Sequence, residues 1–290
     1  MRIITAKPLR LDYEKFKKRQ PTSGEIGRIV SEDIAIYVRG KPVLAYTTVP
    51  KELLEGMREA VKTTKYAVTN RARGLPTKSS VFGAVPRSSL RCDYCRITRP
   101  TINEPENHAR IIEFRKYVDD FYRRMFPIEF AASLREVTEH VHEDWRLAET
   151  PFLTCNINVN FAIPFHKDSG NMPSALSNVT IVREGIEGGE LVLPEYGISL
   201  AQQDGALCFF DGRTIIHGVL PFKLLNENAY RASIVYYTLN SMKHCLSKPA
   251  EVERVQAKRT SLEAVSSEER RAKLTKALGN RFQGNTPCPS

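Results

Sequence analysis

The chain has 290 residues, 41% of them apolar and 9% aromatic, which is enough to fill a core and excludes a wholly disordered polypeptide. Lys and Arg number 43 against 33 Asp and Glu, and the net charge of +10 favours a polyanionic partner such as nucleic acid or an acidic membrane surface. No run approaches 18 apolar residues, and the first twenty residues lack the apolar stretch and small-residue cleavage site of a secretory signal, so a soluble cytoplasmic protein with no membrane segment is expected. Six cysteines are too few for a disulfide scaffold, and reduced thiols are expected. Cys92 and Cys95 form a single Cys-x-x-Cys, half of a zinc site with no second pair close by.

In chain order, residues 1–100 form a basic N-terminal region whose charge is concentrated at 60–100, where nine basic groups face one acidic. Gly74, Pro76, Gly83 and Pro86 interrupt that stretch, which reads as loop-rich, and Tyr66, Phe82 and Tyr94 are interleaved with its cations. Cations mixed with aromatic rings suit phosphate contact and base stacking, so Arg71, Arg73, Lys78, Arg87, Arg91 and Arg96 are candidate contacts to a nucleic-acid backbone. Residues 101–150 read as helical support: Ile111, Phe114, Val118, Phe121 and Met125 recur at helical spacing, and a second helical pattern follows Pro127.

From residue 151 to 247 the pattern changes to short strands broken by turn signals such as Asp204-Gly205 and Asp211-Gly212, the rhythm of a sandwich or jelly roll. The fold class expected is α+β, a β core flanked by helices. Residues 248–290 return to a basic helix and tail, with Ser266 and Glu269 placed as a capping box.

His166-Lys167-Asp168 closes a strand-like run, and ligands one residue apart on extended chain can face the same side. His217 follows in a second strand-like run, TIIHGVLPF, and Arg231 opens a third, RASIVYYTL. Two histidines and a carboxylate form the facial triad that leaves open positions on non-haem Fe(II). A guanidinium such as Arg231 offers a permanent bidentate partner for the far carboxylate of a chelating 2-oxo acid, and Ser233 falls on the same side of its strand. His142-Glu143-Asp144 has the same spacing but follows a helical pattern and reads as surface charge. Asn156, Asn158 and Asn160 alternate along the strand entering His166, which leaves open a pocket role or a structural ladder. Trp145 and Tyr236 read as packing; Asp211 and Arg213 fit either the site or a turn.

These residues resemble the Fe(II)/2-oxoglutarate dioxygenases, and within them the TET/JBP branch. His-x-Asp-x-x-Asn is met by His166, Asp168 and Asn171, and Arg-x-Ser-x-Val-x-Tyr by Arg231, Ser233, Val235 and Tyr237. The surrounding GGELVLPEYG and DGALCFFDGRTIIHG look like compact phage-encoded members, which would place the protein in a host cytoplasm. The resemblance implies a double-stranded β-helix (a distorted jelly roll) holding Fe(II) at one end. It also implies 2-oxoglutarate and dioxygen as co-substrates, with ascorbate expected as reductant. The substrate it implies is a methylated base in double-stranded DNA, flipped out of the helix, with Asn171 bonding its edge and Tyr237 stacking on it. Oxidation of 5-methylcytosine to 5-hydroxymethylcytosine is the first expectation, with further oxidation left open. Thymine oxidation to 5-hydroxymethyluracil is the second, because Leu239 replaces a base-contacting histidine of the animal enzymes. A 2-oxoglutarate hydroxylase of a non-DNA substrate is the third. The second arginine that relatives use for 2-oxoglutarate comes from the N-terminal side, where Arg91 and Arg96 are candidates.

Overall fold

Period-two alternation in the strands divides the core into two layers, and this division places the site. The computed structural model describes residues 1–71, 75–88 and 93–263. The N-terminal part contributes β1 (Arg2–Thr5), β2 (Arg28–Val30), β3 (Ile34–Val38), β4 (Lys41–Thr48), helix α1 (Lys51–Thr63), β5 (Ala67–Arg71), β6 (Leu75–Val85) and β7 (Arg96–Ile97). Three helices follow: α2 (Arg99–Asn103), α3 (Pro105–Met125) and α4 (Pro127–His140). Then come β8 (Thr154–Val159), β9 (Ser177–Glu184), β10 (Ile186–Gly188), β11 (Leu191–Leu193), β12 (Ile198–Leu200), β13 (Ala206–Phe210), β14 (Gly218–Val219), β15 (Phe222–Leu224) and β16 (Tyr230–Tyr237). Helix α5 (Lys248–Glu263) ends the described chain.

The large sheet runs β1-β3-β4-β13-β9-β16-β8-β6-β5, with β7 on β6, and a smaller sheet runs β14-β11-β12-β2. This is the mixed α+β jelly roll that the strand rhythm predicts. On β13, Leu207 and Phe209 point toward the helices, while Cys208 and Phe210 point between the sheets. On the helix side, Leu54 and Met57 of α1 and Ile111, Phe114, Val118 and Tyr122 of α3 bury against Ile157, Phe209, Ile234 and Tyr236. Between the sheets, Ile36, Leu44, Tyr46 and Ile181 meet Leu191, Leu193, Leu200 and Val219. Pro105 and Pro127 each open a helix, where the missing N–H is harmless and the fixed φ already suits the first turn.

Two expectations are corrected. The stretch expected to be loop-rich contains β5 and the eleven-residue β6, which pairs along β8 from Lys78↔Val159 to Gly83↔Thr154. Its strand character comes from a partner some seventy to eighty residues away, beyond the reach of local turn signals. Gly83 has φ +98, and a Cβ there would lie 2.1 Å from the Leu153 carbonyl oxygen, so this glycine permits close strand approach rather than a break. The second correction concerns thiols. Cys95 and Cys245, 150 residues apart, form a disulfide in a cluster with Val137, Trp145, Met172 and Met242, a proximity that spacing cannot show. Cys95 is therefore no zinc ligand; Cys92 lies outside the described residues, as do Ser266 and Glu269. Among the described residues, no helix is long and apolar enough to cross a membrane.

Candidate metal centre and co-substrate cavity

The smaller sheet is entered by two short segments that lie side by side. His166 and His217 form an isolated antiparallel bridge, exchanging backbone hydrogen bonds of 2.9 and 3.2 Å. Their Nδ1 atoms lie 2.9 Å from the Pro164 carbonyl and 3.0 Å from the Ile215 carbonyl. Donation from Nδ1–H to these carbonyls fixes the tautomer and leaves both Nε2 atoms free to ligate. Asp168 faces them, with Oδ1 at 3.4 Å from His166 Nε2 and Oδ2 at 3.8 Å from His217 Nε2. One ligand atom from each residue falls within 4.8 Å of the others, so the three could hold a metal ion.

The surroundings prepare these groups for a cation. Burial pulls the His217 imidazole down to about 4, helped by neighbouring His166, so it stays neutral. Burial acts to raise the Asp168 carboxyl, but the two histidines and a hydrogen bond from Ser177 Oγ outweigh it and hold the group well below the usual carboxylate range. The Asp168 amide donates to the Gly212 carbonyl at 2.8 Å. A Cβ on Gly212 would lie 2.2 Å from Ser177 Oγ and 2.6 Å from Asp168 Oδ2, so this glycine makes the space in which the carboxylate sits. The sequence pattern gives no sign of Ser177 and marks Asp211-Gly212 only as a turn. Gly212 lies just ahead of TIIH, and that adjacency is the one local clue to its role.

A cavity of about 510 Å³ runs from the triad into the space between the sheets. On β16 the residues Arg231, Ser233, Val235 and Tyr237 line it, while Ala232, Ile234 and Tyr236 face the helices. On β8, Asn156 and Asn158 line it, opposite Val235 and Ser233. Asn160 departs from this row: with φ +53 it leaves the strand, and its side chain accepts from the Arg231 amide at 2.8 Å. Asn171 and Leu239 pair as an isolated bridge, and both line the same cavity with Tyr237. Arg213 donates to the Asn171 carbonyl at 2.6 Å, while Asp211 accepts from Thr214, so the first braces the site and the second makes a turn.

Arg231 is 1% exposed and has no acidic ion-pair partner among the described residues. Burial, with nearby Arg183, lowers its guanidinium to about 10, so it keeps its charge at neutral pH. Its Nε has no hydrogen-bond partner, and neither does Nε2 of adjoining Gln202. A buried cation with unmet donors fits an anionic group, and 2-oxoglutarate carries one at each end. The donor set at the triad, two neutral imidazoles and one carboxylate, likewise suits Fe(II).

The expected DNA contacts are placed less uniformly. Lys78 is exposed on β6. Arg87 is paired with buried Glu251 of α5, and Arg96 stacks its guanidinium 5.8 Å from the Tyr94 ring. The side chain of Arg71, and Arg73 and Arg91, lie outside the described residues. His142 and Asp144 lie 3.7 Å apart on a 3-10 turn away from the cavity, and Trp145 is buried with Nε1 donating to the Leu246 carbonyl.

The Tet_JBP model, described as the oxygenase domain of the 2OGFeDO superfamily, matches residues 87–240. The chain belongs to this family. The matched segment is an oxygenase domain of a superfamily whose chemistry uses Fe(II), 2-oxoglutarate and dioxygen. A curated relative, thymine dioxygenase JBP1-B of Trypanosoma cruzi, is 24% identical over 306 residues, covering 99% of this chain and 35% of its own length. Thymine dioxygenase JBP1 of Trypanosoma brucei brucei is 24% identical over 173 residues, 55% of this chain and 20% of the relative. The Tet_JBP chain thus spans about a third or less of these proteins. Among solved structures, NgTET1 in complex with 5mC DNA superposes with a TM-score of 0.59 at 14% identity, covering 88% of this chain and 90% of that one, a likeness of fold.

Proposed function

We propose that the protein hydroxylates the 5-methyl group of a pyrimidine in double-stranded DNA. The observation that carries this reading is the continuous cavity joining the His166, Asp168 and His217 cluster to Arg231 at one side and to Asn171 and Tyr237 at another. His166, Asp168 and His217 would hold the iron, and Arg231 with Ser233 the far carboxylate of 2-oxoglutarate. Bound together, these cofactors supply the oxidising power that replaces a methyl C–H by C–OH. Asn171 offers an amide that can both donate to and accept from a base edge, and Tyr237 offers a ring to stack on. Ile163, Val179, Leu191 and Phe210 line the cavity with apolar surface that excludes water. A methyl group inside a duplex cannot reach this cavity, so the base must be extruded at a cost of a few kcal/mol. Phosphate contacts from the basic stretch at 60–100, exposed Lys78 among them, would offset that cost.

Thymine is the first candidate base, because the curated relatives are named thymine dioxygenases. This reverses the order of the sequence-based expectation. 5-Methylcytosine is the second reading, supported by the 5mC DNA with which NgTET1 was solved. Purified protein incubated with Fe(II), 2-oxoglutarate, ascorbate and either methylated or unmethylated DNA tests both through nucleoside mass spectrometry. 5-Hydroxymethyluracil from both DNAs supports thymine oxidation. Oxidised 5-methylcytosine from methylated DNA alone supports the second reading, and the absence of both oxidised 5-methylcytosine and 5-hydroxymethyluracil refutes the proposal.

A further inference from the structure

Gln202 lies between β12 and β13, is 2% exposed, and lines the same cavity as Arg231. Its Oε1 accepts from Arg231 Nη2 at 3.4 Å, which orients the amide and leaves Nε2 as the free end. That Nε2 is buried without a partner. A buried donor left unmet costs free energy, and the neighbouring groups cannot relieve it: Arg231 and Arg183 are themselves donors. The Arg183 guanidinium donates to the carbonyls of Gly188, Gln202 and Ile186, so it is held in place and adds positive charge here. This end of the cavity therefore presents two unmet donors, Arg231 Nε and Gln202 Nε2, and positive charge.

We infer that Gln202 is a further anchor, beside Arg231 and Ser233, for the distal carboxylate of the 2-oxo diacid, and so a residue that selects the co-substrate. The inference rests on the functional reading above. A carboxylate has two oxygens and about four lone-pair directions, enough to take the guanidinium and the amide together. A 2-oxo acid ending in a methyl group would leave both unsatisfied. Gln202 would thus add discrimination by chain terminus, beyond the charge attraction that Arg231 supplies.

The test is an anaerobic calorimetric titration of Fe(II)-loaded protein, without DNA, with 2-oxoglutarate and with 2-oxopentanoate, which ends in a methyl group. Gln202→Met removes the donor at similar volume and is expected to raise the Kd for 2-oxoglutarate roughly ten- to hundredfold, leaving 2-oxopentanoate within about twofold. Gln202→Glu keeps the shape, places an anion against Arg231, and is expected to lose 2-oxoglutarate while still binding 2-oxopentanoate. Unchanged 2-oxoglutarate affinity in Gln202→Met overturns the assignment, as does an equal loss of both ligands, which would mark a packing role. An unsubstituted protein that does not prefer 2-oxoglutarate overturns the co-substrate reading and this inference with it.

Discussion

Asp168 answers to two histidines, a serine hydroxyl and a glycine that makes room for it, so small changes around it have chemical consequences. Asp168→Ala is expected to abolish turnover and Fe(II) binding while leaving DNA affinity within about twofold, because the proposed phosphate contacts lie elsewhere; retained turnover would remove Asp168 from the triad. Gly212→Ala inserts a methyl into occupied space, at a cost of about 1–3 kcal/mol, and is expected to weaken metal binding by displacing the carboxylate. Metal titration with thermal unfolding of the same variant separates the two effects. Far from the site, burial raises the Asp119 carboxyl to about 6 against the opposing pull of Thr150 and Arg115. A carboxyl whose folded pKa lies above its unfolded value favours the fold when protonated, and that contribution is lost as pH rises from about 4 through 6. Two pKa units correspond to at most about 3 kcal/mol. Urea unfolding across this range is expected to show the native protein losing stability relative to Asp119→Asn; a relative gain would mean the Arg115 pair dominates.

At the level of elements, the segment from Leu11 to Ile26 is a strap: Leu11, Tyr13, Phe16 and Ile26 pack on Phe165, Val192 and Ile216, the neighbours of both histidines. The Phe165 amide donates to the Arg19 carbonyl, and Gln20 reaches the Val219 carbonyl at 2.6 Å. A second brace is Glu251 of α5, which is buried and accepts from Arg87 and from the amides of Cys95 and Leu246. Glu251→Ala leaves those donors unpaired and is expected to destabilise by roughly 3 kcal/mol, with faster hydrogen exchange at both amides; unchanged exchange would show that α5 docks by other contacts. Neither brace was legible in the sequence, because each joins residues far apart through backbone carbonyls or a single ion pair. The strands of the site were legible, since the alternation in RASIVYYTL and the turn after His-x-Asp are local. The same locality explains the error at 60–100, where Pro76 and Gly83 signalled loops and pairing with β8 prevailed.

For the whole molecule, ion pairing leaves the net +10 unchanged but decides which cations stay available to a partner. Arg58 pairs with Asp204, Arg19 with Glu25, and Arg254 and Lys258 with Asp93. On the proposed reading, attraction to DNA depends on the cations that remain exposed, Lys78 among them. Lys78→Glu is expected to weaken duplex binding at low salt and to reduce the slope of log affinity against log salt by about one; an unchanged slope would place the DNA elsewhere. The Cys95–Cys245 bond has a different consequence at this scale. His166, Asp168, His217 and Arg231 all lie inside the covalent ring it closes. A protease that severs the backbone once between these cysteines would leave the triad and its arginine on one molecule, running undivided on a gel until a reductant releases the pieces.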